Sequence, residues 1–376
     1  MGYYNWAYVT LDNLCMDAFQ KFGFSEEDAK IITEVLLLSD LYGIESHGVQ
    51  RMVRYHKSIE KGMIKVGAKP EIVFETGVSA VVDGHDGMGQ VIGRMCMEMA
   101  IEKAKASGVG IVVARESNHY GIAGYYAKMA CDEGLIGLSF TNSEAIMVPT
   151  HGRMAMLGSN PIACAMPAEP YDFLFDASTT VVTRGKLEMY NKMGKPLPEG
   201  WALDKDGKGS TNAPDVLANI IAKNGGGIMP LGGAMEILGS HKGYGYGMLC
   251  EIFTSILSQG MTSNHAMQGS KGGISHGFIA IDPAFFGNPE MIKNHMSNYM
   301  KEIRESPKAE GCQRIYTHGE KEVENMQRIK REGIPVNDNT LLEILEMCNY
   351  LELDFSSYFG GHMPVAENTK MFKGNY

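Results

Sequence analysis

The sequence predicts an α/β (α+β) fold in which a mixed-sheet domain without a Rossmann loop, residues 71–287, is inserted into a helical domain built from both chain ends, residues 1–70 with 288–376. Three observations predict it. Helical signals fill the first seventy residues and return from Pro289 onward. Short apolar runs punctuated by glycine fill the middle, as strands do. The one glycine-rich turn that joins a strand to a helix departs from the dinucleotide fingerprint. With 376 residues, 44% of them hydrophobic, the chain can bury a large core and two domains.

At the N-terminal end, Ser25-Glu26-Glu27-Asp28 fits a capping box, with Ile32, Val35 and Leu36 as the apolar stripe behind it. This helix is expected to end near Gly43. A short link, Ile44-Glu45-Ser46, leads into a second helix that starts at Ser46 and stops at Gly62. On that helix His47, Arg51 and Tyr55 are spaced i, i+4, i+8 and share one face. The face offers an imidazole that titrates near neutrality, a guanidinium that grips a carboxylate with two bonds, and a phenol donor. A small carboxylate-bearing substrate needs such groups; an ordinary solvated polar stripe is the alternative.

After Pro70, Ile72–Phe74 and Ala80–Asp83 read as a hairpin. Gly84-His85-Asp86-Gly87-Met88-Gly89 then leads into a helix over 90–106. The third glycine of the fingerprint is missing, because position 92 is Ile and Gly93 comes one residue late. No acidic residue ends a second strand, where Val109 and Gly110 stand. The turn is therefore read as close helix packing. A β-loop-α-β unit follows: a strand at 110–114, the loop Arg115–Gly121, a helix at 122–131 and a strand at 135–140. His119 lies at a strand's carboxyl end, before a helix N-terminus, where the positive helix end favours a neutral imidazole.

Further strands are expected at 162–166, 173–178 and 277–283, the second bearing Asp176 near its end. Asp176 could accept bonds from ribose hydroxyls or cap the following segment. Residues 196–214 read as a turn-rich surface loop whose calcium-loop likeness fails at Lys208 and Asp215. Asn224–Gly227 and Leu231–Gly233 read as a flexible joint. Ser240–Gly245 opens an apolar helix ending near Gly260. Lys242 is electrostatically misplaced at a helix start unless it points at an anion such as a pyrophosphate; a Schiff-base lysine of a pyridoxal-phosphate enzyme is the other reading. Helices are expected over 289–305, 320–332 and 339–351, with a polar tail after Leu353 that is either an arm or loose.

Composition excludes several classes. A net charge of −10 without clustered Lys and Arg argues against nucleic acid. No apolar run is long enough to span a bilayer, and the best, 243–257, is broken by Glu251. The N-terminus lacks a signal-peptide pattern, and Trp6 spoils a myristoylation motif. Seven scattered cysteines without CxxC suggest reduced thiols and a cytoplasmic location. His47 with His119 lacks a carboxylate companion at metal spacing, so no metal is expected.

Six segments in order resemble the second, non-Rossmann malate/L-lactate dehydrogenase family, which includes malate, sulfolactate and ureidoglycolate dehydrogenases and diketogulonate reductases. They are Ser46-His47-Gly48 with Arg51 and Tyr55, Ser117–Gly121, Leu157–Ile162, Phe175–Ser178, His241–Gly245 and Glu332–Pro335, covering about residues 10 to 345. Glu144 and Ala145 depart from an acidic-then-Pro pattern common in the family. The resemblance implies an NAD(P)-dependent oxidoreductase that moves a hydride between nicotinamide and C2 of a 2-hydroxy or 2-oxo acid. Malate/oxaloacetate is the favoured pair and NAD the favoured cofactor, NADP remaining open. It also implies a homodimer with the active site near the subunit interface. By position, His119 or His47 is the acid/base, Arg51 and Tyr55 serve the substrate, and Ser143, Asp176, Ala177, Ser178 and Lys242 form the cofactor set. The Gly319-Glu320 turn is a weaker cofactor-proximal match. A non-catalytic binding protein would give no nicotinamide absorbance change with any 2-oxo acid.

Overall fold

The computed structural model describes residues 2–233 and 235–365. Strand β1 (Tyr3–Trp6) pairs antiparallel with β12 (Ile334–Asn337), tying the chain ends together. Helix α1 (Tyr8–Lys21) buries Leu11, Leu14, Cys15, Ala18 and Phe19, the i, i+3, i+4, i+7, i+8 stripe of an amphipathic helix. Helix α2 (Glu26–Leu41) starts at the expected cap, where Ser25 Oγ accepts the Asp28 amide at 3.1 Å.

The single helix expected from Ser46 is broken in the structure. Glu45–His47 and Val49–Arg51 are separate 3-10 turns, and α3 (Met52–Glu60) begins only after them. The reason lies beneath Gly48. The buried Asp40 carboxylate takes the Val49 amide at 2.9 Å, and a Cβ on Gly48 would sit 1.8 Å from that carboxylate. Only glycine lets the chain pass so close.

The hairpin β2 (Glu71–Glu75) and β3 (Ser79–Asp83) leads through α4 (Gly89–Ser107) to β4 (Val109–Ser117). Then follow α5 (Ala123–Asp132), β5 (Ile136–Thr141), β6 (Ile162–Met166) and β7 (Phe173–Ala177). With β11 (Ile274–Ile281) these strands form a mixed sheet of order β2-β3-β4-β11-β5-β6-β7. Only β3 and β4 are parallel, joined through α4; the other neighbours are antiparallel.

Residues 196–214 are not the expected surface loop. Between α6 (Arg184–Lys192) and α7 (Ala213–Ala222) lie strands β8 (Ala202–Leu203) and β9 (Gly209–Ser210), and β8 also pairs with β10 (Gly227–Ile228). Leu197, Ala202, Val216, Leu217 and Ile220 form a small apolar cluster of their own. The Asn224–Gly227 segment, read as a flexible joint, is packed against it, with Gly227 paired to Leu203. These strands are two residues long, too short for alternation to register in the sequence.

Helix α8 (Ser240–Glu251) continues as a π turn over Ile252–Ile256. Helices α9 (Pro289–Glu305), α10 (Glu320–Glu332) and α11 (Asp338–Leu351) lie within a residue of their expected spans. The tail is not loose where it is described: α12 (Phe355–Phe359) buries both its phenylalanines, and residues 366–376 lie outside the described part. One apolar cluster gathers α1, α2, α3, α11 and α12, and a second lies under the large sheet against α4 and α5. Helix α2 serves both, sending Ile32 and Leu36 into the first and Val35 into the second.

Candidate active site

His119 lies two residues beyond the end of β4, between the sheet and the N-terminal helices. Its loop is pinned by Asn118, whose buried amide donates to the carbonyls of Met63, Asp86 and Gly87 at 2.9–3.0 Å. The glycine-rich turn is what allows this. A Cβ on Gly89 would stand 2.2 Å from the Asn118 carbonyl oxygen and 2.5 Å from that of His119. The turn thus serves close packing beneath the histidine loop, as the failed fingerprint implies.

Tyr55 Oη is 2.8 Å from His119 Nδ1, and Gln90 Nε2 donates to the same phenol oxygen at 2.8 Å. The His47 ring stacks on His119 with centroids 5.5 Å apart. His119 Nε2 has no bonding partner among the described residues. Burial lowers the His119 pKa well below the usual range, and the charges of Arg54, His47 and Arg51 add to this. Burial, then Arg51 and Arg54, lowers that of His47 to about 3. Both rings therefore stand neutral. Burial also pushes the Tyr55 phenol up to about 12, keeping it protonated. Arg51 Nε donates to the Ser46 carbonyl, which leaves its terminal nitrogens free to grip a carboxylate.

Behind His119, further polar groups lie inside the sheet. His276, at the start of β11, is fully buried between β4 and β5. Its Nδ1 lies 2.8 Å from Thr141 Oγ1, and its Nε2 lies 2.9 Å from Ser117 Oγ and 3.1 Å from the Asn118 carbonyl. The ring stacks on Tyr120 at 4.3 Å.

A second group of residues follows one path of hydrogen bonds. Ser143 Oγ, after β5, accepts the Ser159 amide at 3.0 Å. The Ser159 carbonyl accepts the Thr179 amide at 2.8 Å, and the Thr179 carbonyl accepts that of Leu231 at 2.9 Å. Gly243, on the first turn of α8, packs directly on Leu231. Ser143 thus bonds directly into this route, Ser178 and Lys242 stand next in sequence to Thr179 and Gly243 on it, and Ala177 ends β7 opposite Ile162. Asp176 is exposed on β7 and accepts the Gly124 amide at the start of α5 at 2.7 Å, so it caps that helix rather than the segment after it.

The Gly319-Glu320 turn stands apart. Gly319 packs against the backbone of Asp172 and Leu174, and the fully buried Glu320 is occupied by Thr317, Arg304 and Arg314. Its carboxylate serves a local ion-pair network.

A family model described as malate/L-lactate dehydrogenase matches residues 6–345. The chain belongs to the malate/L-lactate dehydrogenase family. It is 44% identical over 330 residues to a malate dehydrogenase of Pyrococcus horikoshii, covering 87% of this chain and 90% of that one. It is 38% identical over 352 residues to an L-sulfolactate dehydrogenase of Methanocaldococcus jannaschii, covering 92% and 96%. The crystal structure of malate dehydrogenase from Entamoeba histolytica superposes with a TM-score of 0.90 at 36% identity, covering 94% of this chain and 99% of that one.

Membership in the malate/L-lactate dehydrogenase family makes the chain a dehydrogenase and implies a nicotinamide cofactor. The residues present fit one. Lys242 presents an exposed ammonium without an ion-pair partner among the described residues, as a pyrophosphate requires. Asp176 offers an exposed carboxylate, and Ser143 and Ser178 offer hydroxyls. Being exposed, Lys242 lacks the desolvation by which an apolar pocket activates a Schiff-base lysine.

Sequence reading missed His276, Gln90 and Arg54. His276 sits in an apolar strand run, which conceals it; the polar Thr141 and Ser117 that face it are the only hint. Gln90 carries no motif, and its partner Tyr55 is 35 residues away.

Proposed function

We propose that this family member interconverts malate and oxaloacetate using NAD, with His119 as the acid/base group. The observation that carries the reading is His119 itself: a neutral imidazole held at Nδ1 by Tyr55, open at Nε2, and flanked by the free fork of Arg51. With the proton of the neutral ring on Nδ1 and donated to Tyr55 Oη, Nε2 keeps its lone pair: in oxidation it takes the proton of the C2 hydroxyl, and in reduction it returns a proton to the C2 oxygen. Arg51 holds the C1 carboxylate and so fixes C2 against the ring. His47, stacked on His119, lies within reach of the same oxygen as a second polar contact. A nicotinamide held here would supply the hydride chemistry at C2. Lys242 would neutralise a pyrophosphate, and Ser143 and Ser178 would offer it hydroxyls. Asp176 would accept from ribose hydroxyls and repel a 2′-phosphate, which favours NAD over NADP.

The reading also includes a cytoplasmic homodimer. Seven free cysteines support the reducing compartment. Support for the dimer comes from α8 and its π turn, where Leu249, Ile252, Ile256 and Leu257 are exposed as one apolar stripe. The division into 1–70 plus 288–376 and 71–287 is kept, supported by the apolar cluster that joins the two chain ends.

The test is a panel of oxaloacetate, pyruvate and sulfopyruvate, each with NADH and NADPH. The reading expects the highest kcat/KM with oxaloacetate and NADH. Failure of all three acids with both nucleotides would overturn it.

A further inference from the structure

Arg51 accounts for one carboxylate, and a four-carbon diacid has two. One helical turn further along, α3 carries Arg54, three residues after Arg51 and next to Tyr55. Arg51 ends the 3-10 turn and caps α3 with a right-handed helical backbone, so the Cβ atoms of these two arginines are about 5–6 Å apart. Arg54 is half-buried, yet its guanidinium makes no hydrogen bond or ion pair with any described residue. The neighbouring cation Arg184 is fully engaged, with Glu144 and Glu188 each 3.1 Å away.

This is an unusual way to place two arginines. The chain carries 44 acidic against 34 basic residues, so carboxylates are plentiful. A half-buried charge left unpaired beside a like charge costs stability, and a structural arginine would have an acidic partner. Glu144, the nearest candidate, is committed to Arg184. The Arg54 charge acts on His119, as do those of His47 and Arg51, so the guanidinium stands close to that ring.

We infer that Arg54 is a second anion subsite, which binds an anionic group carried on C3 of the substrate and so selects diacids over monoacids. The inference rests on the reading of the site as that of a 2-oxo acid dehydrogenase. Arg51 takes the C1 carboxylate, which every 2-oxo acid has. Arg54 takes the group that pyruvate lacks. Carboxylate and sulfonate both suit a planar fork of N–H donors, so oxaloacetate and sulfopyruvate both qualify. The two charges also compensate each other's cost once the diacid is bound, which couples affinity to the second anionic group.

The experiment compares wild type, Arg54→Gln and Arg54→Lys with oxaloacetate, sulfopyruvate and pyruvate at saturating NADH. In Arg54→Gln, kcat/KM is expected to fall at least 100-fold for the two diacids and to stay within threefold for pyruvate, with KM for NADH unchanged. Arg54→Lys should keep part of the diacid preference, since the charge remains and the fork is lost. Sulfopyruvate separates the two anion types: an equal loss with oxaloacetate means charge alone is read, and a loss with one only assigns the subsite to that group. Equal loss for pyruvate and both diacids, or no loss for any acid, overturns the inference. Wild type that reduces none of the acids overturns the dehydrogenase reading itself. Should Arg54→Gln not fold, the lysine variant and wild-type inhibition by oxalate against tartronate or malonate analogues carry the comparison: a diacid with the longer anion spacing must bind the tighter in wild type.

Discussion

Tyr55 Oη and His119 Nδ1 lie 2.8 Å apart, joined across 64 positions of sequence. That contact couples the helical N-terminal part of the chain to the carboxyl end of a central strand. It also fixes which imidazole nitrogen is left for chemistry. Removing the phenol oxygen as Tyr55→Phe frees the His119 ring and leaves the buried Gln90 amide without its acceptor. We expect kcat to fall by roughly tenfold to a hundredfold, in line with a lost orienting group. Stability should fall by about 1–3 kcal/mol through the unsatisfied Gln90 donor. Steady-state kinetics and urea unfolding check the two effects separately.

Gly89→Ala tests the meaning of the glycine-rich turn. Alanine is the better helix former by about 0.5–1 kcal/mol. However, its Cβ would press on the Asn118 and His119 carbonyls at 2.2 and 2.5 Å, and forced overpacking typically costs about 1–3 kcal/mol. The clash wins, so the variant should be less stable than wild type and lose turnover as the His119 loop shifts. An alanine variant as stable and active as wild type would show that the close approach is dispensable.

The buried histidines set the acid limit of stability. His276 and His47 are lowered to about 3 and His119 well below its usual range, burial being the largest cause for each. In the unfolded chain each takes up a proton near pH 6.5. Below that pH the unfolded state binds protons the folded state refuses, so stability is complete above about 6.5 and declines as pH falls toward about 3. Each contributes up to about 1.4 kcal/mol per pH unit in that window, and His276, with no exposure, is the best shielded from solvent. Denaturant midpoints measured from pH 7.5 to 4.5 should fall steadily, and His276→Asn should flatten the slope even though it starts from a lower value.

Lys242→Ala removes a cation from the exposed first turn of α8 without emptying any part of the core. KM for the nucleotide should rise about tenfold or more, with KM for the 2-oxo acid and thermal stability little changed. A charge that merely sat on the surface would leave nucleotide affinity as it was.

Much of this architecture was legible in the sequence because its elements are long and periodic. The capping box at Ser25, the alternation of β3, the apolar run of β4 and the terminal helices all carry signals that one stretch of chain can express. The hairpin of β8 and β9 was not legible, because two-residue strands hold too few positions for a period. The break at Gly48 was hidden for a different reason: its cause is the Asp40 carboxylate on another helix, and only the folded contact reveals it. Within the site, His47, Tyr55 and His119 come together, and the Arg51 charge acts on both rings. Their supports, Gln90 and His276, come from segments that look like ordinary helix and ordinary buried strand. Glu320 shows the converse, since a motif position can spend its charge on a neighbouring arginine pair.

The most direct test of the account is the turnover of His119→Ala beside His47→Ala, followed at 340 nm with malate and NAD, together with nucleotide binding measured by fluorescence. The account predicts that His119→Ala loses about 10²–10⁴-fold in kcat while still binding nucleotide like wild type, and that His47→Ala loses distinctly less. A His119→Ala enzyme that turns over near the wild-type rate, or a His47→Ala enzyme that loses the greater part, would contradict it.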